Sequence, residues 1–239
     1  MAQAHAASRR DAWITLVALA ALVLWEFSGL DLALTRWIAS PQGFAWRDSP
    51  LASGVLHSGG RALGWVLLLL LVWDAARPFA AGPSRAERVR GIAVVLAGLV
   101  LVPMLKRFST TSCPWDLAEF GGHTAYVPHW MSGITDGGPG HCFPSGHAVA
   151  AFAFFGVYFL WRHHRPPVAR AALIAVLVLG FAFGWAQWVR GAHFISHTLW
   201  SAWLCWVIAA LAARCWPATP ATPDTERAPP AIAAALPTR

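Results

Sequence analysis

The chain has 239 residues, of which 57% are hydrophobic and only 12% charged, and it contains 15 tryptophans. A chain of this composition needs an apolar solvent, which excludes an ordinary water-soluble domain and predicts an integral membrane protein. The net charge of +7 requires no nucleic-acid partner, because the arginines cluster between apolar segments, where they orient membrane proteins.

Six runs with few or no charges predict an all-α fold with six transmembrane helices. A spanning helix needs about 20 residues, so the three shorter runs, which come first, must recruit flanking residues. The runs are residues 12–24, 62–73, 91–105, 142–161, 171–189 and 194–213.

The arginines predict the orientation of these spans. They precede the first span, separate the second from the third, and separate the fourth from the fifth, as Arg9 and Arg10, then Arg77, Arg85, Arg88 and Arg90, then Arg162, Arg165 and Arg170. Loops rich in arginine usually stay in the cytoplasm, so both termini are predicted to be cytoplasmic.

The connecting segments complete a single membrane domain, residues 1–215. Residues 26–60 are predicted to lie at the outer interface with a short amphipathic helix, and Glu26 is expected to reach water there. Residues 106–143 form a long polar outer loop, which is the usual setting for function. The tail, residues 216–239, is of low complexity and is predicted to be disordered.

Polar residues at the ends of spans three to six are predicted to meet on the outer face and bind a phosphate. Lysine and arginine balance its charge, backbone N–H groups at the start of span four cradle it, and imidazole supplies a nucleophile or proton donor. The candidates are Lys106, Ser145, Gly146, His147, Arg190, His193 and His197.

Metal binding is the alternative for the two histidines spaced i and i+4, but the sequence predicts no metal. A catalytic metal usually draws on carboxylates or a third ligand, and Asp116, Glu119 and Asp136 are the only acids of the outer loop. The loop histidines His123, His129 and His141 are expected at the surface or at the rim of the substrate site.

Three short motifs resemble those of the type 2 phosphatidic acid phosphatase (PAP2) superfamily of membrane lipid phosphatases. They are "KRFSTTSCP" from Lys106, "PSGH" at residues 144–147 and "GAHFISH" at residues 191–197. Their order and their places at span ends are more specific than any one of them. The resemblance implies a phosphatase without cofactor or metal, in a bacterial inner membrane with its site facing the periplasm.

The resemblance also implies a substrate class and residue roles. The substrate would be a lipid phosphomonoester or pyrophosphate, such as undecaprenyl diphosphate, phosphatidylglycerophosphate, phosphatidic acid or a lipid A phosphate. His193 would attack phosphorus to give a phosphohistidine, and His147 would protonate the leaving oxygen and later activate water. Lys106, Ser145 and the Gly146 amide would hold the phosphate oxygens.

Three positions depart from the family's motifs. Cys113 and Gln187 stand where the family has arginines, and His197 stands where it has the aspartate that orients the nucleophile. Losing one donor from such a site costs about 10² to 10³ in rate. We hypothesise that Arg190 reaches the same phosphate, with Arg107 a weaker candidate.

The orienting acid also needs a replacement. His197 takes the place of the orienting residue but supplies no negative charge. Asp116 or Glu119 from the loop is a candidate for that charge. In the competing assignment His197 is the nucleophile, but Ser201 then stands where the orienting aspartate would be needed.

Cys113 and Cys142 each adjoin a motif in the outer loop, where an oxidising compartment would allow a disulfide between them. Such a bond would stabilise the fold by roughly 3 to 4 kcal/mol in the chain-entropy account.

Two alternative functions are open. A phosphotransferase of the same fold would pass the phosphoryl group to a second lipid, and a non-catalytic phospholipid-binding or transport protein would keep the pocket without turnover. The predicted partners in each case are a phosphorylated lipid substrate and the membrane lipids.

Overall fold

The computed structural model describes residues 2–131 and 133–216 and is mostly helical. The helices are α1 (Ala2–Phe27), α2 (Leu30–Ile38), a π-helix (Pro50–Gly59) that runs directly into α3 (Gly60–Ala76), α4 (Arg85–Arg107), α5 (Val149–Phe152), α6 (Phe155–Trp161), α7 (Pro166–Val189) and α8 (Ile195–Cys215). The longest connection between helices is the segment between α4 and α5.

The remaining regular elements are short. Strands β1 (Ala39–Ser40) and β2 (Gly43–Phe44) form an antiparallel hairpin in which Ala39 is opposite Phe44. Two 3-10 helices, Pro114–Asp116 and Ala118–Phe120, lie in the loop after α4. The predicted tail, residues 216–239, lies outside the described residues except for Trp216.

Four described helical segments are long and apolar enough to cross a membrane, and α1 with α2, bent by 66°, makes a fifth when the two count as one span. The four are Pro50–Ala76, Arg85–Arg107, Pro166–Val189 and Ile195–Cys215. The predicted fourth span is shorter, because its helical part is Val149–Trp161. Thirteen residues at 1.5 Å each make about 20 Å, against about 30 Å of hydrocarbon, so six spans stay a prediction.

The surface of the helices agrees with a lipid environment. Large apolar side chains such as Trp13, Leu69 and Val178 are more than half exposed, and a continuous apolar surface of this kind is unfavourable in water. The interior is tightly packed: a Cβ added at Gly180 would lie 2.1 Å from the ring of Phe152. Only glycine lets α7 approach α5 at this point.

The segment between the first two spans is shorter than predicted. The predicted short helix is present as α2, but helical structure resumes at Pro50 rather than after residue 60. The predicted span omitted these ten residues because Arg61 separates them from the run 62–73, and because "PLASGVLHSG" mixes serine, glycine and histidine with apolar residues. As a result, His57 lies inside a helix that reaches the end of the bundle.

A buried ion pair ties α3 to α4 at the end of the bundle away from Lys106. Arg88 donates to the carboxylate of Asp74 and to the carbonyl oxygens of Pro83 and Ala80. The side chains of Arg88 and Asp74 are 2% and 9% exposed. Because both charges are removed from water, each depends on the other to remain satisfied.

Removing one partner of this pair should therefore destabilise the fold strongly. We expect Asp74→Ala to lower the free energy of unfolding by about 3 to 5 kcal/mol, the usual cost of leaving a buried charge unpaired. Denaturant titration in detergent measures it.

The matched control is Glu119→Ala, which breaks the solvent-exposed pair between Arg36 and Glu119 and should change stability far less. Equal effects of the two substitutions would contradict the role of the buried pair.

Candidate active site

One end of the helix bundle collects most of the predicted site residues. Lys106 lies in the last turn of α4, His147 immediately before α5, Arg190 directly after α7, and His193 just before α8. Lys106 also meets the second motif, because a Cβ added at Gly146 would lie 3.8 Å from Nζ of Lys106. The backbone N–H of Ser145 donates to the carbonyl oxygen of His197, so residues from all three motifs lie close together at this end of the bundle.

The two histidines of the third motif face each other through the same ring atom. Nδ1 of His193 is 3.4 Å from Nδ1 of His197, and both residues are buried. One of these nitrogens must carry the hydrogen, because two bare lone pairs would repel each other. Nδ1 makes all the polar contacts of the His193 ring within hydrogen-bond distance of described residues. Nε2 is therefore left for other chemistry.

Burial lowers the pKa of His193 well below its ordinary value, and the nearby Lys106 charge acts in the same direction. Withdrawal from water disfavours the charged form of an imidazole. His193 is therefore neutral at neutral pH, the form that has a lone pair to attack with.

His147 is fixed by the π-helix. Its Nε2 lies 3.0 Å from the carbonyl oxygen of Leu56, and since a carbonyl only accepts, this nitrogen donates a hydrogen. Its ring stacks on that of His57 with centroids 4.3 Å apart. Burial lowers the pKa of His147 to about 4, and nearby Arg190 and Arg61 add to the effect.

Ser145, in the second motif, is bonded to α8. Its backbone N–H donates to the carbonyl oxygen of His197 at 3.0 Å, and Ser201 donates its hydroxyl to the carbonyl oxygen of Ser145 at 2.8 Å. The hydroxyl of Ser145 is buried and has no hydrogen-bond partner among the described residues. A buried hydroxyl without a partner is costly, unless a ligand oxygen supplies the missing bond.

Arg190 lies at the rim of this site. Its Nε donates to the carbonyl oxygen of Arg47 at 2.8 Å, which ties the end of α7 to the segment between α2 and the π-helix. Its charge still acts on His147. Arg107, the weaker candidate for a phosphate-binding cation, is exposed at the end of α4.

Cys113 and Cys142 form a disulfide with their Cα atoms 5.2 Å apart. The sulfur of Cys142 contacts the carbonyl oxygen of Ala192 at 2.8 Å and lies 3.5 Å from Nδ1 of His193. The bond therefore joins the loop after Lys106 to the segment before His147, and it packs directly against the third motif.

The loop after α4 is folded back on itself beside this disulfide. The carboxylate of Asp136 accepts from the backbone N–H of Ser112 at 2.7 Å and from its hydroxyl at 2.8 Å. The backbone N–H of Trp115 donates to the carbonyl oxygen of Gly191 at 2.9 Å. These bonds fix the loop to the turn that carries Arg190 and His193.

One group of described residues has ligand atoms close enough for a metal. The donor atoms of Cys142, His193 and His197 lie within 4.8 Å of one another. In the disulfide, however, Cys142 offers no thiolate, and the two remaining histidines are fewer than the three protein ligands typical of catalytic zinc.

The loop acids proposed as the missing orienting charge are engaged elsewhere. Asp116 accepts from the backbone N–H of Cys113 at 3.0 Å, and Glu119 pairs with Arg36 at the surface. The two acids lie close to the first motif in the sequence, and that closeness did not indicate which partners they bind.

Another carboxylate lies near the histidine pair. Glu26 accepts from the indole N–H of Trp200 at 2.6 Å and is 3.4 Å from Nε2 of His129. The ring of His129 stacks on Phe143 and meets His197 edge to face, with centroids 5.8 Å apart. The side chains of Glu26 and His129 are only 6% and 9% exposed, so the prediction that Glu26 reaches water was wrong: the loop folds over the end of α1 and buries the two together. His129, expected at the surface or at the rim of the substrate site, lies beside His197.

Residues 89–220 match the PAP2 superfamily. The matched region is more than half of the chain, and the chain therefore belongs to this superfamily. Its members are generally phosphatases, which assigns the chain to enzymes that act on phosphate esters, and its apolar helices agree with a membrane phosphatase. No curated protein and no solved structure matches the chain.

The disulfide should support both the fold and the third motif. We expect replacement of Cys113 and Cys142 by alanine to lower the free energy of unfolding by roughly 3 to 4 kcal/mol, because the 29-residue separation leaves a large loop unconstrained in the unfolded chain. Chemical unfolding under non-reducing conditions measures this, and peptide mapping verifies the bond.

Cys215→Ala is the control, since this exposed cysteine is outside the disulfide. Free thiols at Cys113 and Cys142 in the wild-type protein would contradict the pairing.

Proposed function

We propose that the protein is a membrane lipid phosphatase that works through a phosphohistidine on His193. The observation that carries the proposal is a buried His193 whose Nδ1 faces Nδ1 of His197, close to Lys106 and His147. This arrangement offers a phosphate a nucleophile, a cation and a second imidazole.

In the first step, Nε2 of His193 attacks phosphorus and the bond to the lipid oxygen breaks. Nδ1 of His193 donates a hydrogen bond to Nδ1 of His197, and this tautomer keeps the reactive lone pair on Nε2. Lys106 and Arg190 balance the phosphate charge, while the free hydroxyl of Ser145 donates to one of its oxygens.

His147 handles the proton. Its Nε2 hydrogen is held by the carbonyl of Leu56, so Nδ1 is the atom that gives a proton to the leaving lipid oxygen. The pKa of His147 is about 4 in the free protein, and the negative charge of a bound phosphate raises it toward the working range. In the second step water attacks phosphorus, His147 takes its proton, and inorganic phosphate and free His193 are released.

The substrate we propose is a lipid phosphomonoester or pyrophosphate. The catalytic residues lie at the ends of helices whose sides are apolar, so a lipid can keep its chains in the membrane while its phosphate enters the pocket. The arginine-rich ends lie on the opposite side, which favours a bacterial inner-membrane protein with its site facing the periplasm and its termini in the cytoplasm.

Phosphate release from purified protein in detergent tests the proposal. Wild-type protein should release phosphate from at least one of undecaprenyl diphosphate, phosphatidylglycerophosphate, phosphatidic acid and lipid A phosphates, also in excess EDTA. His193→Ala should abolish release because it removes the nucleophile. Acceptor-dependent labelling of a second lipid would favour the phosphotransferase, and binding without release the non-catalytic protein.

The two histidines of the third motif should behave unequally. His197→Ala should reduce turnover without abolishing it, since His197 only orients and stabilises the ring that reacts. Trapping the acid-labile phosphohistidine by rapid quench should give labelled His197→Ala protein and unlabelled His193→Ala protein. The reverse labelling pattern would identify His197 as the nucleophile.

Arg190 should matter as much as Lys106. Arg190→Ala is expected to lower kcat/KM by about 10² to 10³, at least as severely as Lys106→Ala, because it removes a charge from the oxyanion site. Arg170→Ala, at an exposed arginine near the opposite end of α7, is the control. A mild effect of Arg190→Ala would reduce its role to anchoring the rim on Arg47.

A further inference from the structure

The π-helix, Pro50–Gly59, brings a further histidine, His57, to the site from outside the family-matched region. Extended π-helical structure is rare, and π-helical turns are found frequently at functional sites. His57 is half-buried within this helix. Neither the three motifs nor the roles given above account for it.

Two consecutive residues of the π-helix contact the proton-handling residue. The carbonyl of Leu56 accepts from Nε2 of His147 at 3.0 Å, and the ring of His57 stacks on that of His147 at 4.3 Å. The π-helix therefore sets both the position and the tautomer of His147, and it places the ring of His57 in stacking contact with that residue.

His57 is itself held by a buried amide. The side-chain nitrogen of Gln187, which is 2% exposed, lies 3.2 Å from Nδ1 of His57. An amide nitrogen donates, so Nδ1 of His57 accepts and the ring hydrogen is on Nε2. Nε2 has no partner among the described residues and is free to donate to a ligand.

The surrounding charges favour an anion as that ligand. Arg190, Arg61 and Lys106 act electrostatically on His57, and Arg61 and Arg190 act on its stacked neighbour His147 as well. An N–H donor among three cations is a site for an anionic oxygen.

We propose that His57 donates its Nε2 hydrogen to an oxygen of the substrate phosphate, and that Gln187 acts as a positioning residue for the His57 ring. The inference rests on the proposed function. Gln187 stands where the family has an arginine, and in this chain the donor to the phosphate comes instead from His57 in the π-helix, which Gln187 orients. His57 would then be a catalytic residue supplied from outside the three motifs.

Three substitutions of His57 separate a specific donor from mere bulk. His57→Ala should lower kcat/KM by about 10² to 10³, the usual effect of removing one donor from such a site. His57→Gln should retain most activity, because the glutamine amide nitrogen can take the place of Nε2. His57→Asn is the matched control, since its amide reaches only the position of Nδ1 and should not rescue activity.

Gln187 gives a second, independent readout. If it acts only through His57, Gln187→Ala should impair the wild-type protein but leave the His57→Ala protein no worse, since effects on one shared interaction do not add. Thermal unfolding of each variant checks that the fold is retained. Equal activity of the Ala, Gln and Asn variants, or additive losses with Gln187→Ala, would overturn the proposal.

Binding of inorganic phosphate, followed by ³¹P NMR titration, separates this inference from the proposed function. Phosphate binding that weakens at least tenfold in His57→Ala but not in His57→Gln supports the inference even if no lipid is hydrolysed. Hydrolysis by wild type with unchanged phosphate affinity and turnover in His57→Ala refutes the inference and leaves the phosphatase assignment standing. Wild-type protein that neither binds phosphate nor hydrolyses a lipid refutes both.

Discussion

The disulfide between Cys113 and Cys142 is the constraint on which the site depends. It closes the loop that leaves α4 after Lys106 and returns before His147, and its sulfur packs against Ala192 and His193. Apolar helices held in lipid fix the helix axes but leave the polar ends free to splay. A covalent bond at that end holds the chain segments of the site together. The loop-closure entropy is lost when the bond forms and not again on folding.

Inside this site the groups that we propose as catalytic are neutral imidazoles rather than an imidazole and a carboxylate. Burial keeps His193 and His147 uncharged in the free protein, which leaves each ring with a lone pair. The weaker partner of His193 is then another imidazole, His197. The nearby carboxylate, Glu26, bonds to Trp200 and touches this pair only through the ring of His129.

The pocket is also assembled from elements of different kinds. Helix ends supply Lys106, Arg190 and His193, and a folded loop supplies the cover, while the π-helix supplies Leu56 and His57 at the side of His147. π-Helical turns occur frequently at functional sites, and this one contacts His147 through two consecutive residues.

The sequence by itself determined the membrane character, most helix positions and the three motifs, because apolar periods and short local patterns need no distant contact to be recognised. It also indicated the cysteine pair, since each cysteine adjoins a motif. Tertiary structure alone decided the neighbours of the histidines: Glu26, His129 and His57 reach the site from parts of the chain remote from the motifs. Their roles depend on burial and on distances between helices, which no local pattern encodes. The same limit explains why Glu26 was predicted in water, although the loop covers it.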